Sequence, residues 1–172
     1  MSWSSFEEEA FQYIKDNFKL NNGEIIKLGA SDSTKSDICI NLTNCKFNIE
    51  VKEENAQSVQ FVVKVNDKLY SYSDTSKLNL KNNEHLEKLT QKIISIINDK
   101  VEKKSEFTKN ELYLSNEWVK EFYKSKGVWY FISKYQNEFI IFHINNFNKY
   151  VKTKPVMRNK KSGSTALPKK IF

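Results

Sequence analysis

The stretch Ser36-Asp37-Ile38-Cys39-Ile40-Asn41-Leu42, followed by Phe47-Asn48-Ile49-Glu50-Val51-Lys52, decides how this chain reads. Side chains of a strand point alternately to opposite faces, so apolar residues two apart mark a buried row. Ile38, Ile40 and Leu42 form such a row in the first segment, and Phe47, Ile49 and Val51 form one in the second. Asp37, Cys39 and Asn41 are left opposite, as are Asn48, Glu50 and Lys52. Thr43, Asn44 and Cys45 between the segments suit a tight connection, Asn being favoured in turns because it tolerates a positive φ. With both apolar rows turned to one core, Asp37, Glu50 and Lys52 converge on the other face of a hairpin.

That arrangement is the layout of a metal-dependent phosphodiester-cutting site. A hard cation such as Mg2+ takes oxygen ligands and keeps several waters, so one or two carboxylates and a substrate phosphate satisfy it. The ion stabilises charge on the phosphate and lowers the pKa of a bound water. Lys52, two residues from Glu50 on the same face, is placed to hold or deprotonate that water, best where positive charge or burial lowers its own pKa. Glu-x-Lys alone carries little weight in a chain with 28 Lys and Arg and 21 Asp and Glu. Glu102-Lys103-Lys104 repeats it after an amphipathic helical stretch (Leu86, Leu89, Ile93, Ile96, Ile97), where a solvated charge run is the ordinary explanation. Glu50 and Lys52 differ by lying in an alternating apolar strand, preceded by another that opens with an Asp.

These residues resemble the PD-(D/E)xK nuclease superfamily, with Asp37 as its first acid and Glu50-Val51-Lys52 as its E-x-K element. Leu28-Gly29-Ala30-Ser31-Asp32 looks like the glycine- and serine-containing approach to that acid, and Ser36 stands where the superfamily's proline would be. Glu50-Val51-Lys52 through Ala56-Gln57-Ser58-Val59-Gln60-Phe61, with the late Lys161-Ser162-Gly163-Ser164, looks like small type II restriction endonucleases. The resemblance covers the first half of the chain and its tail. It implies a restriction-endonuclease-like fold and Mg2+ held by Asp37, Glu50 and the Val51 carbonyl, with Mn2+ as a substitute. It also implies that Gln57 and Gln60 lie near bound DNA, although surface glutamines need no such explanation.

An N-terminal helix often supplies another acid in such enzymes. Residues 4 to 18 read as that helix, with Ser4 or Ser5 as N-cap and Glu7 to Glu9 in its first turn. At 100° per residue Glu7 falls within the apolar stripe of Phe6, Ala10, Tyr13 and Ile14, and Glu9 points away. Complementing the helix dipole is the competing explanation for all three glutamates.

Further along, Gln60 to Val65 and Lys68 to Ser73 flank Asn66-Asp67 as a second hairpin. A helix is expected from about Asn83 to Lys104, and a shorter one capped by Ser115 and ended by Gly127. Val128 to Ser133 and Phe139 to Ile144 read as strands joined through Gln136-Asn137. This order predicts an α/β (α+β) domain with a mixed central β-sheet flanked by helices. At 172 residues it is expected to be a single domain, 1–172, with a basic segment from about residue 146 to the end.

Charge supports a polyanionic partner because it is lopsided. After Glu138 there is no acidic residue, whereas eight Lys and Arg follow, against a formal net charge of +7 for the whole chain. The rest therefore carries −1, and the basic excess sits in the last 34 residues. Arg158, Lys160, Lys161, Ser162 and Ser164 are its candidate DNA contacts, since hydroxyls and amides of a glycine turn suit phosphates. Arg158, the one arginine, is open to a bidentate contact with guanine or to a phosphate. Cys39 and Cys45 match no zinc spacing, and His85 and His143 stand without partners, which argues against thiol, zinc or triad chemistry. No apolar run reaches the roughly 18 residues of a membrane span, and the N-terminus is too acidic for a signal peptide. The expectation is a cytoplasmic endodeoxyribonuclease of the restriction type, needing no small-molecule cofactor. It would act on double-stranded DNA, and cutting both strands of a symmetric site favours a homodimer, since site symmetry usually mirrors protein symmetry. A structure-specific nuclease of the junction-resolvase kind and a non-catalytic nucleic-acid-binding module remain the alternatives.

Overall fold

The computed structural model describes residues 3–28, 35–54, 56, 59–73, 76, 83–103, 106, 108–153, 158–159 and 169–171. Along the chain run α1 (Trp3–Asn17), β1 (Gly23–Lys27), β2 (Ile38–Leu42), β3 (Lys46–Val51), β4 (Val62–Asn66) and β5 (Leu69–Tyr72). They are followed by α2 (Glu84–Lys103), α3 (Lys109–Ser125), β6 (Val128–Tyr135), β7 (Glu138–His143), a 3-10 turn (Ile144–Asn146), α4 (Phe147–Tyr150), β8 (Arg158–Asn159) and β9 (Lys169–Ile171). The residues group into two compact units, Met1–Ser58 with Phe122–Phe147, and Val59–Glu121 with Asn148–Phe172.

The first unit is built on a five-stranded sheet of order β1-β2-β3-β6-β7. All neighbours are antiparallel except β3 and β6, which run parallel, so the sheet is mixed. The register pairs Ile38 with Ile49 and Ile40 with Phe47, which gathers both apolar rows on one face as the alternation requires. Helix α1 covers that face by setting Phe6, Ala10 and Ile14, one stripe at helical spacing, against Ile38, Ile40, Ile49, Val51 and Ile132. Aromatic rings fill the other face: Phe131 meets Tyr123 edge-on, stacks on Phe142 and tilts against Phe147. Gln136 and Asn137, at φ of 50° and 67°, close the β6–β7 hairpin with the doubly left-handed turn that strand twist favours.

In the second unit a four-stranded sheet has the order β5-β4-β9-β8. Its β4–β5 hairpin turns on Asp67 and Lys68, both with positive φ, one residue later than the Asn66-Asp67 signal indicates. Helix α2 starts where Asn83 accepts the Leu86 N–H at 2.9 Å, and it buries Leu86, Leu89, Ile93 and Ile97. Asn98 of α2 grips β5 by accepting from the Tyr70 N–H and donating to the Tyr70 carbonyl. Trp118 of α3, buried, donates its indole N–H to Thr90 Oγ1 at 2.8 Å.

Local chemistry accounts for several departures from the sequence expectations. Helix α3 begins at Lys109, well before Ser115, because Thr108 and Glu111 cap it reciprocally: the Thr108 N–H donates to Glu111 and the Glu111 N–H to Thr108 Oγ1. Ser115 is instead a buried residue inside that helix. Helix α1 begins at Trp3, so Glu7 to Glu9 lie beyond its first turn, where the macrodipole has little hold on them. Thr43, Asn44 and Cys45 close the β2–β3 connection without a positive φ, through the Leu42 N–H donating to the Cys45 carbonyl at 2.9 Å. Strand β1, absent from the expected order, pairs antiparallel with β2 as a sheet edge. Among the described residues no helix is long and apolar enough to cross a membrane.

Ile132, fully buried at the parallel β3–β6 seam, is the test of this core. Ile132→Ala is expected to lower the unfolding free energy by about 2–5 kcal/mol, read as a shifted urea midpoint at unchanged slope.

Candidate active site

Continuing the Ile38–Ile49 register by one residue sets Asp37 opposite Glu50, at the end of the β2–β3 pair. The Asp37 backbone is held from the other side, its carbonyl accepting the Leu28 N–H at 2.8 Å. Its carboxylate turns to β3, where Oδ2 accepts the Val51 N–H at 2.7 Å. Glu50, in the middle of the sheet, is 3% exposed. Its Oε1 lies 2.8 Å from Lys52 Nζ, and the hydroxyl of buried Tyr123 donates to it. Lys52 is itself fixed by its N–H, which donates to the Ile132 carbonyl at 3.0 Å and prolongs the β3–β6 ladder past the end of β3.

The three glutamates of α1 have separate fates. Glu8 and Glu9 form ion pairs with Lys27 and Lys134. Glu7 is 7% exposed, and its charge acts on Asp37. Helical rotation, which put Glu7 within the apolar stripe, accounts for this: the α1 face that packs on the sheet delivers one carboxylate to the same end as Asp37.

Electrostatics follow from that crowding. Burial, and then the negative charge of Glu50, lift the Asp37 carboxyl to a pKa of about 7, with Glu7 adding a smaller push. The Val51 N–H and the Lys52 ammonium oppose the rise without cancelling it. Tyr123 is held well above its ordinary value by burial and by the same two carboxylates.

Besides Tyr123, two further residues outside the expected set complete the cluster. Lys126, directly after α3, approaches Glu50 Oε2 to 3.5 Å. It lies over the rings of Phe122 and Tyr123, and Lys52 lies over Tyr123 as well. Asn48, on the Glu50 face of β3, anchors this corner: its side chain donates to the Lys126 carbonyl at 2.7 Å and its N–H to the Gly127 carbonyl at 2.9 Å. Gly127 turns the chain from α3 into β6 at a φ of 72°, a left-handed conformation that glycine adopts at little cost. Asn48 was visible as a member of the polar row. Lys126 carries no comparable signal, because 76 residues separate it from Glu50 and only the parallel β3–β6 pairing brings them together.

Other expected residues lie apart from this cluster or outside the described residues. Gln60 is exposed in the segment before β4, in the second unit. Arg158 belongs to β8, where its backbone pairs with Ile171. Gln57, Lys160, Lys161, Ser162 and Ser164 lie outside the described residues. The acidic oxygen donors brought together here are the Asp37 and Glu50 carboxylates. Among the described residues no group of three Asp, Glu, His or Cys side chains is placed to hold a metal. Two carboxylates so close that one raises the pKa of the other nevertheless form a hard, oxygen-only set suited to a divalent ion that keeps its waters.

No protein-family model matches the chain, and no curated protein matches it. Among solved structures it is similar to HhaI endonuclease in complex with DNA, at 32% identity and a TM-score of 0.77 over 95% of this chain. The fold is restriction-endonuclease-like. This chain spans 62% of the length of that structure. Within the restriction-endonuclease-like fold, the mixed five-stranded sheet carries Asp37, Glu50 and Lys52 at one end of the β2–β3 pair.

The Asp37 shift has a thermodynamic consequence. With a folded pKa of about 7 and an ordinary value of 3.8, the folded state keeps a proton that the unfolded chain has already lost in between. Stability is therefore full below the ordinary value and falls as pH rises towards 7, by up to about 1.4 kcal/mol per pH unit. Thermal melts in metal-free buffer should show this decline for the wild type, and Asp37→Asn, which can still accept the Val51 N–H, should flatten it.

Proposed function

We propose that this protein is a type II restriction endonuclease that hydrolyses phosphodiester bonds in double-stranded DNA at specific sites with Mg2+. The observation that carries the reading is the meeting of Asp37, Glu50 and Lys52 on adjacent strands, in a fold similar to an endonuclease in complex with DNA. Asp37 and Glu50, with the Val51 carbonyl, would hold the ion, as in the PD-(D/E)xK pattern their spacing resembles. When bound, Mg2+ supplies charge stabilisation at the phosphate and an acidified water, and Mn2+ serves as a substitute.

The protein's own residues have the following roles. Asp37, orientated by the Val51 N–H at its Oδ2, would offer its second oxygen to the ion. Glu50 fixes the Lys52 ammonium at 2.8 Å, so that Lys52 donates to the attacking water and positions it. Tyr123 donates to Glu50 and closes the apolar floor beneath it. Glu7 is a further acid beside the pair. Gln57, Gln60, Arg158, Lys160, Lys161, Ser162 and Ser164 are the proposed DNA contacts, drawn from the basic excess of the chain and the segment after Lys52. A homodimer in the cytoplasm, cutting both strands of a symmetric site, belongs to the same reading.

Plasmid and linear duplex of known sequence, incubated with Mg2+, are expected to give discrete fragments whose mapped ends recur at one sequence. Chelation should stop cleavage and Mn2+ restore it. Lys52→Ala should slow cleavage by at least about a hundredfold while leaving DNA binding in a gel-shift assay largely intact. Cutting confined to branched DNA, or no Mg2+-dependent cutting of any DNA, would overturn the reading.

A further inference from the structure

Glu50 is met by two ammonium groups as well as a phenol hydroxyl. Lys52 lies on Oε1 at 2.8 Å, Lys126 on Oε2 at 3.5 Å, and the Tyr123 hydroxyl also donates to it. Taking a second ammonium group out of water to serve one carboxylate is costly, and an apolar residue of similar size would often hold such a position better. Lys126 is nonetheless only 10% exposed at its side chain. Its place is also built: Asn48 clamps the Lys126 and Gly127 carbonyls, and the left-handed Gly127 ends α3 just there. The clamp sits two residues from Glu50 on the same strand face, so the ammonium position is tied to the strand that carries the acid.

The charge count gives this second lysine a purpose. With Asp37 deprotonated, as a bound cation would leave it, Glu7, Asp37 and Glu50 bring three negative charges to the cluster, and Lys52 and Lys126 bring two positive ones. One negative charge is left over. A divalent cation together with one singly charged phosphodiester neutralises it, and a cation alone overshoots. Without Lys126 the balance moves: the cation alone then suffices, and the phosphodiester becomes the surplus charge.

We propose that Lys126 is a phosphate-binding residue of the site, which pairs with Glu50 in the metal-free protein and turns to the scissile phosphodiester when Glu50 is engaged by the cation. This rests on the nuclease reading above. Asn48 is then a positioning residue that holds Lys126 within reach of both partners.

The test uses the full chain as wild type, Lys126→Met and Lys126→Arg, with two readouts. Mn2+ binding without DNA is followed by the electron spin resonance of the free ion, and single-turnover cleavage of plasmid is measured at saturating Mg2+. Lys126→Met should bind Mn2+ several-fold tighter, because a repelling charge is gone, yet cleave about a hundredfold more slowly. Lys126→Arg should recover much of the rate and return Mn2+ affinity towards that of the wild type. A merely structural lysine would weaken both properties together when lost. Thermal melts identify a folding defect, and Lys126→Gln then repeats the comparison with an uncharged polar side chain. Unchanged or weaker Mn2+ binding by the uncharged variants, beside an active wild type, overturns the role of Lys126 alone. A wild type that cuts no DNA with Mg2+ overturns the nuclease reading, and this proposal with it.

Discussion

The antiparallel register between β2 and β3 is the constraint on which the site depends. Pairing Ile38 with Ile49 buries both apolar rows under α1, and the same pairing sets Asp37 against Glu50. A slip of either strand by one residue would turn its own apolar residues, Ile38 and Ile40 or Ile49 and Val51, away from Phe6, Ala10 and Ile14, so the hydrophobic cost of error is large. The geometry of the candidate site is thereby held by burial and not by the polar contacts themselves. The Asp37–Val51 hydrogen bond and the Lys52–Ile132 bond then refine what packing has decided.

Setting Asp37 opposite Glu50, with the charge of Glu7 also acting on Asp37, stores electrostatic energy in the protein. Asp37 carries it as a pKa near 7, Glu50 relieves its share through two lysines and a tyrosine hydroxyl, and Glu7 is delivered by the same helix face that packs the core. Such an arrangement is poor as a structural device, because buried ion pairs rarely repay their desolvation. It suits the proposed nuclease site, in which the crowded charges would relax on binding a cation and an anionic substrate.

Legibility differed from residue to residue. Helices and hairpins with strong periodicity or Asn-containing turns were readable, including α1, α2, the β2–β3 pair and the β6–β7 hairpin. The start of α3 was misplaced because Thr108-Lys109-Asn110-Glu111 is polar, and its reciprocal cap competes in sequence with the more obvious Ser115. Strand β1 was missed because five residues at an exposed edge, Gly23 to Lys27, show almost no alternation. The basic C-terminal segment was marked by its charge, but its return to the sheet as β9, between β4 and β8, was not, since pairing across about a hundred residues leaves no local trace.

By itself the sequence determined the row membership of Asp37, Glu50 and Lys52, and the placing of Glu7 within a packed stripe, because strand and helix periodicities are local geometry. Only the tertiary structure decided that β6 lies parallel to β3, which brings Tyr123 and Lys126 to Glu50 and lets Asn48 clamp the end of α3. The opening hairpin therefore supplied the acids and one lysine, whereas the second lysine came from long-range strand pairing. That pairing depends on the burial of whole faces, which no short segment of the chain encodes alone.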